Sequence, residues 1–329
     1  MQEHIELRNI GVFTSGGDAP GMNACIRAVV RTAHHYGLEV TGILEGYRGM
    51  VEGKFRPLSA PDVSNTIARG GTLLRSSRCP EFREASGRKR AFDQLKEAGI
   101  QGLIAIGGNG TFMGAQVFEE EFGIPTIGVP GTIDNDLSGT DFTIGFSTAC
   151  QVAVEAIDKL RDTATSHNRL FFVEVMGRDS GYIAVHTCVA AGAEAVLYPE
   201  DTNDLEQLMR FLQEKSKRKV FSSIVVVAEG DETGGAVEIN KLVRERYPQY
   251  DTRVTVLGHL QRGGSPTVFD RLLASRLGMH AVEALRQGKR NVMVGQVRDE
   301  VVLTPFGEAL AQRKRLNIDL LRMSHILVA

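Results

Sequence analysis

Two carboxylates lie two positions apart in residues 130–136 (PGTIDND), directly after an apolar run. Asp134 and Asp136 could divide two tasks in such a loop, one accepting a proton and the other facing a metal ion. Asp and Asn also form turns readily, so this segment taken alone leaves an ordinary turn open. The pattern indicates acid–base chemistry beside a metal ion if the loop lies at a ligand-binding edge.

Two glycine-rich segments, residues 14–23 (TSGGDAPGMN) and 106–111 (IGGNGT), each join a predicted strand to a predicted helix. Adjacent glycines let the backbone approach a ligand closely, and the N-terminus of the following helix favours an anion. The first segment is neither a Walker A loop nor a Gly-x-Gly-x-x-Gly dinucleotide fingerprint. A tight turn is its alternative, and a phosphate-binding loop is the prediction.

Arginines occupy two further glycine-containing segments, residues 175–181 (VMGRDSG) and 257–266 (LGHLQRGGSP). The guanidinium group offers a fixed fork of donors that matches a phosphate group. A single loop arginine is usually solvated. Here Arg178 and Arg262 occur with Arg78, Arg169 and Arg253 near the ends of predicted strands, which favours an anion site.

Short apolar runs alternate with amphipathic stretches along most of the chain. Strands are predicted at residues 10–13, 40–44, 103–106, 124–129, 170–175, 195–198, 223–228, 253–257, 292–297 and 300–303. Helices are predicted at residues 22–36, 112–122, 148–163, 182–191, 205–217 and 267–285, with a polar helix after residue 303. This alternation predicts parallel sheets covered on both faces, with ligands at the carboxyl ends of the strands.

Composition narrows the class of protein. The chain has 329 residues, 42% of them hydrophobic, and a formal net charge of −2. Chains beyond about 250–300 residues usually form more than one domain, and a near-neutral chain is not expected to bind nucleic acid. Four scattered cysteines predict reduced thiols in a cytoplasmic protein rather than a disulfide or zinc framework. Neither a signal peptide nor a membrane span is expected.

The five segments, in this order and spacing, resemble the bacterial ATP-dependent 6-phosphofructokinases. Residues 70–74 (GGTLL), 78–83 (RCPEFR) and 139–146 (GTDFTIGF) extend the resemblance over nearly the whole chain. It implies an α/β protein of two doubly wound domains, with the active site in the cleft between them. The larger, ATP-binding domain would comprise residues 1–145 with 263–306. The smaller, sugar-phosphate-binding domain would comprise residues 146–262 with 307–329, and the long helix near residue 150 would mark the crossing.

The resemblance implies transfer of the γ-phosphoryl group of ATP to the 1-hydroxyl of fructose 6-phosphate, with Mg²⁺, in a cytoplasmic, allosterically regulated homotetramer. Asp134 matches the family's general base, Thr132 and Asp136 would position the phosphoryl group and magnesium, and Arg178 would neutralise transition-state charge. The implied nucleotide-binding residues are Gly17, Tyr47, Arg78, Arg83, Asn109, Gly110, Thr111 and Gly114. The implied sugar-phosphate residues are Thr132, Asp134, Asp136, Met176, Gly177, Arg178, Glu229, His259 and Arg262, with Arg169 and Arg253 from a neighbouring subunit. The implied effector residues are Arg27, Arg31, Arg161, Gly192 and Glu194.

One position, Asn109, departs from the family pattern, and two others, Gly110 and Gly131, distinguish its ATP-dependent members from its pyrophosphate-dependent members. Asn109 stands where the family usually has Asp, and with Asp136 it is the implied magnesium-holding pair. Gly110 and Gly131 stand where pyrophosphate-dependent relatives usually carry Asp and Lys, so ATP is the predicted donor. A pyrophosphate-dependent phosphofructokinase and a non-catalytic regulatory homologue are the alternatives. Lipid and NAD kinases share a similar glycine-rich loop but lack the segment at 130–136.

Overall fold

The computed structural model describes residues 7–218, 221–311 and 314–327. These residues divide into two compact units. Unit 1 comprises the chain up to Thr132, Leu137–Gly145 and Arg262–Lys314. Unit 2 comprises Ile133–Asp136, Phe146–Gln261 and the chain from Arg315 onward. Over the described residues, no helix combines the length and apolarity needed to cross a membrane.

Unit 1 is built around a sheet that, in the residues the structure describes, has eight strands in the order β12-β11-β5-β4-β1-β2-β3, with β6 beside β5. The strands are β1 (Asn9–Thr14), β2 (Glu39–Ile43), β3 (Phe55–Pro57), β4 (Gly102–Gly107), β5 (Thr126–Thr132), β6 (Ile144–Gly145), β11 (Val292–Val297) and β12 (Glu300–Pro305). The helices are α1 (Met22–His35), α2 (Tyr47–Glu52), α3 (Ala85–Glu97), α4 (Asn109–Phe122), α9 (Val268–Arg286) and α10 (Phe306–Ala311), with short 3₁₀ turns at Pro61–Val63 and Pro80–Arg83.

The central strands of unit 1 are buried on both faces, as their continuous apolar sequences predict. Phe13 and Leu103 point into a cluster with Met50 of α2, Leu95 of α3 and Phe118 of α4. On the other side, α1 and α9 pack closely against each other and against the strands. The prediction of an all-parallel sheet is wrong at its edges, because β2–β3 and β11–β12 are antiparallel pairs. The β11–β12 connection is a hairpin of residues 298–299, which can join only antiparallel neighbours.

Unit 2 has a smaller sheet, which over the described residues has four parallel strands in the order β10-β7-β9-β8. The strands are β7 (Leu170–Val175), β8 (Ala195–Leu197), β9 (Ser223–Ala228) and β10 (Thr252–Val256). The helices are α5 (Phe146–His167), α6 (Tyr182–Ala191), α7 (Asp204–Lys217), α8 (Gly235–Arg246) and α11 (Ile318–Leu327), with a 3₁₀ turn at Gly258–Arg262. Phe172, Leu212, Val225 and Ile239 form part of its own core.

The observed division differs from the predicted domain boundaries in three places. Residues 133–136 belong to unit 2, whereas Arg262 and residues 307–314 belong to unit 1. The last difference has a packing cause, because the ring of Phe306 at the start of α10 stacks on Phe112 of α4 with centroids 5.1 Å apart. The helix predicted near residue 150 begins one residue after the chain leaves unit 1 at Gly145 and lies wholly in unit 2.

Candidate active site

Two predicted loops of unit 1 and the start of a third predicted segment lie at the ends of adjacent parallel strands. β1 pairs with β4 through Thr14 and Ile106, and β4 pairs with β5 through Gly107 and Pro130. The backbone N–H of Ser15 donates to the carbonyl of Ile106 over 3.0 Å, which continues the pairing into the loops. The glycine-rich segments and the start of residues 130–136 therefore meet at one sheet edge, as the sequence predicts.

Close backbone approach explains the glycines at this edge. A Cβ at Gly107 would lie 2.3 Å from Oγ1 of Thr111 and 2.6 Å from the carbonyl oxygen of Ser15, so no side chain fits. A Cβ at Gly108 would lie 3.5 Å from the Cβ of Thr132. Thr111 is 3% exposed, and its Oγ1 accepts or donates no hydrogen bond within the described chain. The edge therefore presents backbone groups and small hydroxyls.

The helix after β4 begins earlier than predicted. α4 starts at Asn109 rather than at residue 112, so Asn109, Gly110 and Thr111 form its first turn. The first-turn N–H groups of a helix lack intrahelical acceptors and carry partial positive charge. The residues assigned to nucleotide binding thus coincide with the part of α4 that suits a phosphate group.

Gly110 and Gly131 differ in what surrounds them. Neither has a positive φ, so backbone conformation does not require glycine at either position. A Cβ at Gly110 would meet no atom within 4 Å, whereas a Cβ at Gly131 would lie 2.9 Å from Cγ2 of Ile106 and 3.2 Å from Cε of Met22. Gly110 therefore leaves open space, and Gly131 fits a tightly packed position.

Tyr47 supports α4 from the buried side. Its ring stacks on Phe82 with centroids 4.0 Å apart, and its hydroxyl donates to the carbonyl of Thr111. A Cβ at Gly114 would lie 3.0 Å from the Tyr47 ring, so glycine permits this packing. Burial raises the pKa of Tyr47. The side chain is 8% exposed, so in the structure it holds the first turn of α4 in place.

The remaining nucleotide-side arginines lie on the surface of unit 1. Arg78 and Arg83 are both exposed, and Arg83 ends the 3₁₀ turn that starts at Pro80. Hydrogen bonds join this region to the rest of the unit through backbone atoms, as from the Arg88 guanidinium to the carbonyl of Arg83. Both guanidinium groups are accessible to an anion.

Arg262, predicted on the sugar-phosphate side, lies against the first glycine-rich loop. Its Nη1 donates to the carbonyl of Asp18 over 3.1 Å. A Cβ at Gly17 would lie 2.4 Å from the same nitrogen, so a side chain at this position would displace the guanidinium. Arg262 is the residue at which the chain re-enters unit 1. Arg262 therefore groups with unit 1, and its role toward the sugar phosphate stays a prediction.

In unit 2, the ends of β7 and β9 bring four predicted residues together. The backbone N–H groups of Gly177 and Arg178 donate to Oε1 of Glu229, over 3.3 and 2.8 Å. Arg178 has φ +55° and Gly177 has φ +150°, so the chain turns sharply after Met176. Glu229 thus orients the loop that carries the exposed Arg178 side chain.

The residues between Thr132 and Leu137 also belong to unit 2. Asn135 is fully buried with φ +52°, which sets the turn between the half-buried Asp134 and Asp136. The Ser180 hydroxyl donates to the carbonyl of Asp134 over 3.2 Å, which ties this turn to the loop after β7. Asp134 and the Arg178 loop are therefore joined through Ser180.

Arg169 and Arg253 lie elsewhere in unit 2. Arg169 directly precedes β7 and Arg253 is the second residue of β10, so both lie toward the amino ends of the strands. Arg169 Nε donates to Oδ2 of Asp251 over 2.7 Å, and Arg253 pairs with the same carboxylate. The hydrogen bond from Arg169 lowers the pKa of Asp251. His259, in the 3₁₀ turn after β10, is exposed at the opposite end.

The predicted effector residues form two groups, which the structure places in different units. Arg161 of α5 donates to the carbonyls of Ala191 and Gly192, and its Nη1 lies 3.6 Å from Glu194. Glu194 also accepts the backbone N–H of Ile224 over 2.8 Å. The other two residues, Arg27 and Arg31, lie on α1 in unit 1.

The donor chemistry of Asn109 and Asp136 suits magnesium. Within the described chain, no group of three His, Cys, Asp or Glu residues could hold a metal ion by itself. Mg²⁺ usually takes one or two carboxylates and fills its remaining positions with waters and substrate phosphates. Asn109 of unit 1 offers an amide oxygen and Asp136 of unit 2 offers a carboxylate, and each is a ligand type that Mg²⁺ accepts.

Two polar residues that orient the site were not singled out from the sequence. Gln261 is fully buried, accepts the N–H of Met176 over 2.8 Å and donates to the carbonyl of Ala149. Ser180 links the Asp134 turn as described above. Both lie inside segments chosen for their glycines and arginines, and their hydrogen bonds depend on backbone positions far apart in the sequence.

Comparison with known proteins agrees with this architecture. The phosphofructokinase family profile (PFK: Phosphofructokinase) matches residues 9–285. The chain is 57% identical over 321 residues to ATP-dependent 6-phosphofructokinase 1 of Thermus thermophilus, covering 98% of this chain and 99% of that protein. It is 52% identical over 317 residues to ATP-dependent 6-phosphofructokinase 2 of Bacteroides thetaiotaomicron, covering 96% and 97%.

Among solved structures, the phosphofructokinase from Saccharomyces cerevisiae superposes with a TM-score of 0.86 at 34% identity. The match covers 92% of this chain but only 45% of the yeast chain. The family profile spans β1 to β10, and the relatives cover nearly the whole chain. The chain belongs to the phosphofructokinase family.

Proposed function

We propose that this protein is an ATP-dependent 6-phosphofructokinase, which transfers the γ-phosphoryl group of ATP to the 1-hydroxyl of fructose 6-phosphate. The observation that carries the proposal is that two glycine-rich loops and the end of β5 meet at the carboxyl edge of β1, β4 and β5 in a member of this family. These loops offer first-turn N–H groups of α4, small hydroxyls and close backbone approach, as a polyphosphate chain requires.

In the proposed reaction, Asp134 accepts the proton of the sugar 1-hydroxyl while that oxygen attacks the γ-phosphorus. The bond from the γ-phosphorus to the β,γ-bridging oxygen breaks, and ADP leaves with fructose 1,6-bisphosphate as the other product. Arg178 and Arg78 stabilise the charge on the transferring group, which is the main source of catalysis in phosphoryl transfer. Magnesium, held by Asn109 and Asp136, would neutralise charge on the phosphates when bound.

The sugar phosphate is proposed to bind at the ends of β7, β9 and β10. Met176, Gly177, Glu229 and His259 belong to loops that follow these strands. Arg169 and Arg253 would reach the sugar 6-phosphate of a neighbouring subunit, since both lie toward the amino ends of their own strands. This arrangement requires a homo-oligomer, which we propose to be a tetramer in the cytoplasm. Arg27, Arg31, Arg161, Gly192 and Glu194 remain the proposed effector residues.

The deciding experiment is a coupled assay of ADP release with and without fructose 6-phosphate. Sugar-dependent release is expected, and its absence in folded protein would support a non-catalytic regulatory homologue. The same enzyme should then be compared with ATP and with pyrophosphate as donors, at fixed fructose 6-phosphate. We expect kcat/KM for ATP to exceed that for pyrophosphate by more than about tenfold, which is roughly 1.4 kcal/mol of transition-state binding.

A substitution at Gly110 tests whether ATP is the phosphoryl donor. A side chain there meets open space, so Gly110→Asp should fold and place a carboxylate beside the phosphate-binding turn. We expect a sharp fall in ATP use from charge repulsion. Gly307→Asp on α10 introduces the same charge at another position where a Cβ meets no atom within 4 Å and φ is not positive, and it is the control. A wild-type enzyme that prefers pyrophosphate would refute the assignment of the donor.

A further inference from the structure

The segment that precedes Arg78 is tied to the loop after β1. The Ser76 hydroxyl donates to the carbonyl of Gly16 over 2.7 Å, and the Thr14 hydroxyl donates to the carbonyl of Arg75 over 2.9 Å. The hydroxyls of Thr14 and Thr72 are also 2.8 Å apart. These bonds hold the backbone of residues 75 and 76 directly against the glycine-rich loop at residues 14–17.

Arg75 has a backbone conformation that glycine would adopt more readily. Its φ is +59°, and its N–H closes a turn by donating to the carbonyl of Thr72 over 3.1 Å. L-residues with a Cβ meet steric cost in this left-handed region, whereas glycine does not. An arginine held there beside a ligand-binding loop is an outlier that indicates a use for its side chain.

The Arg75 side chain is also available. It is exposed, and within residues 7–218, 221–311 and 314–327 its guanidinium makes no ion pair or hydrogen bond. The nearby Glu45 is engaged by Lys54, whose Nζ lies 3.0 Å from the Glu45 carboxylate. The fork of donors on Arg75 is therefore left to an anion, and the adjacent loop is the one proposed to receive phosphate groups.

We propose that Arg75 is a further nucleotide-binding residue, which contacts the phosphate chain of the bound nucleoside triphosphate from the side of the β1–α1 loop. This inference rests on the proposed function. Its target is the polyphosphate rather than the adenosine, because the backbone of Arg75 is tied to the glycine-rich loop and guanidinium groups recognise phosphate oxygens.

The test is direct binding of ATP and of adenosine to the full-length protein by isothermal titration calorimetry. Arg75→Gln should weaken ATP binding about fivefold to tenfold, the range for losing a charge-assisted contact at an accessible site. Adenosine affinity should stay within about twofold, because the lost contact involves only phosphate oxygens. Arg69→Gln is the matched control, since this exposed arginine lies in the same segment but its carbonyl bonds to Asn23 of α1. It should leave ATP binding unchanged.

Arg75→Gly separates binding from folding. Glycine tolerates φ +59°, so its thermal midpoint should not fall while its ATP affinity drops as in Arg75→Gln. Equal ATP affinities for wild type, Arg75→Gln and Arg69→Gln would show a merely solvated arginine and overturn the inference, while leaving the proposed function intact if the wild type still turns over. A wild type that binds no ATP would overturn both.

Discussion

Asp134 is the residue on which proton transfer depends in the proposed reaction. We expect Asp134→Ala to lower kcat by at least about 10²-fold, since positioned general bases contribute about 10²–10⁴-fold. ATP affinity should change little, because the residue faces the sugar hydroxyl. Steady-state kinetics with an ATP titration checks both quantities. Asp158→Ala, an exposed aspartate on α5, is the control. Turnover of Asp134→Ala within a few-fold of wild type would remove Asp134 from this role.

A substitution at Asn109 tests whether this residue binds magnesium. A neutral amide is a weaker ligand than a carboxylate for a hard dication. Asn109→Asp should therefore lower the magnesium concentration that gives the half-maximal rate. The first-turn position on α4 also tolerates a negative charge, so the variant should fold normally. An unchanged magnesium titration curve would place Asn109 away from the metal.

At the scale of elements, the start of α7 contains a buried acid. Asp204 is 5% exposed, and its Oδ2 accepts the N–H of Tyr198 over 2.8 Å. Burial, reinforced by nearby Asp231, raises the pKa of Asp204 to about 7. Because this exceeds the value in an unfolded chain, about 3.9, the folded state holds the proton longer as pH rises. The contribution of Asp204 to the free energy of unfolding is therefore largest below about pH 4, and it is lost as the pH rises through 7.

Asp204→Asn removes that titration while keeping an acceptor for Tyr198. The thermal unfolding midpoint of Asp204→Asn minus that of the wild type should be higher at pH 8 than at pH 5. Only at pH 8 does the wild type bury a charged carboxylate. Thermal unfolding at both pH values measures the difference. Asp162→Asn on the surface of α5 should show no such dependence. The same offset at pH 5 and pH 8 would contradict the proposed titration of Asp204.

Several strands could be predicted from the sequence because a glycine-rich loop follows each of them. Continuous apolar strands followed by glycine-rich turns identified β1, β4, β5, β7, β9 and β10, and so placed the candidate loops at the correct edges. The pattern missed α2, α3, α8 and the short β3 and β6. The elements α2, β3 and β6 are short, and α3 has few apolar residues, so their periodicity is weak. The helix α8 was missed although Ala236, Ile239 and Val243 are buried at helical spacing.

For the whole molecule, the proposed site needs Arg169 and Arg253 from a neighbouring subunit. A mixture of Arg253→Ala and Asp134→Ala subunits should regain activity above either variant alone, because hybrid oligomers contain sites with both residues intact. The two variants would be co-refolded and assayed together. Within one chain both arginines pair with Asp251, a surface interaction worth only about 0–1 kcal/mol, so the variants should fold.

The matched control mixes Asp134→Ala with Arg178→Ala. Both residues would serve the same subunit's site, so no hybrid site is complete and no activity should return. Rescue in that control, or a fully active monomer by light scattering, would contradict the shared site.

The sequence by itself determined the family resemblance, the α/β class and the residues gathered at the strand ends. Motif order and apolar periodicity are local properties, so they can be recognised without coordinates. The sequence indicated that Gly107 and the other loop glycines matter, but it did not show which neighbouring atoms exclude a side chain at these positions.

Only the tertiary structure decided which groups meet. Arg262 lies on the Gly17 loop rather than with unit 2, α10 joins unit 1 through Phe306, and Tyr47 supports α4 from its buried side. It also revealed Arg75 at positive φ beside Gly16. Each outcome depends on contacts between residues distant in sequence, whose steric fit and hydrogen-bond geometry are fixed only when the packed chain brings them together.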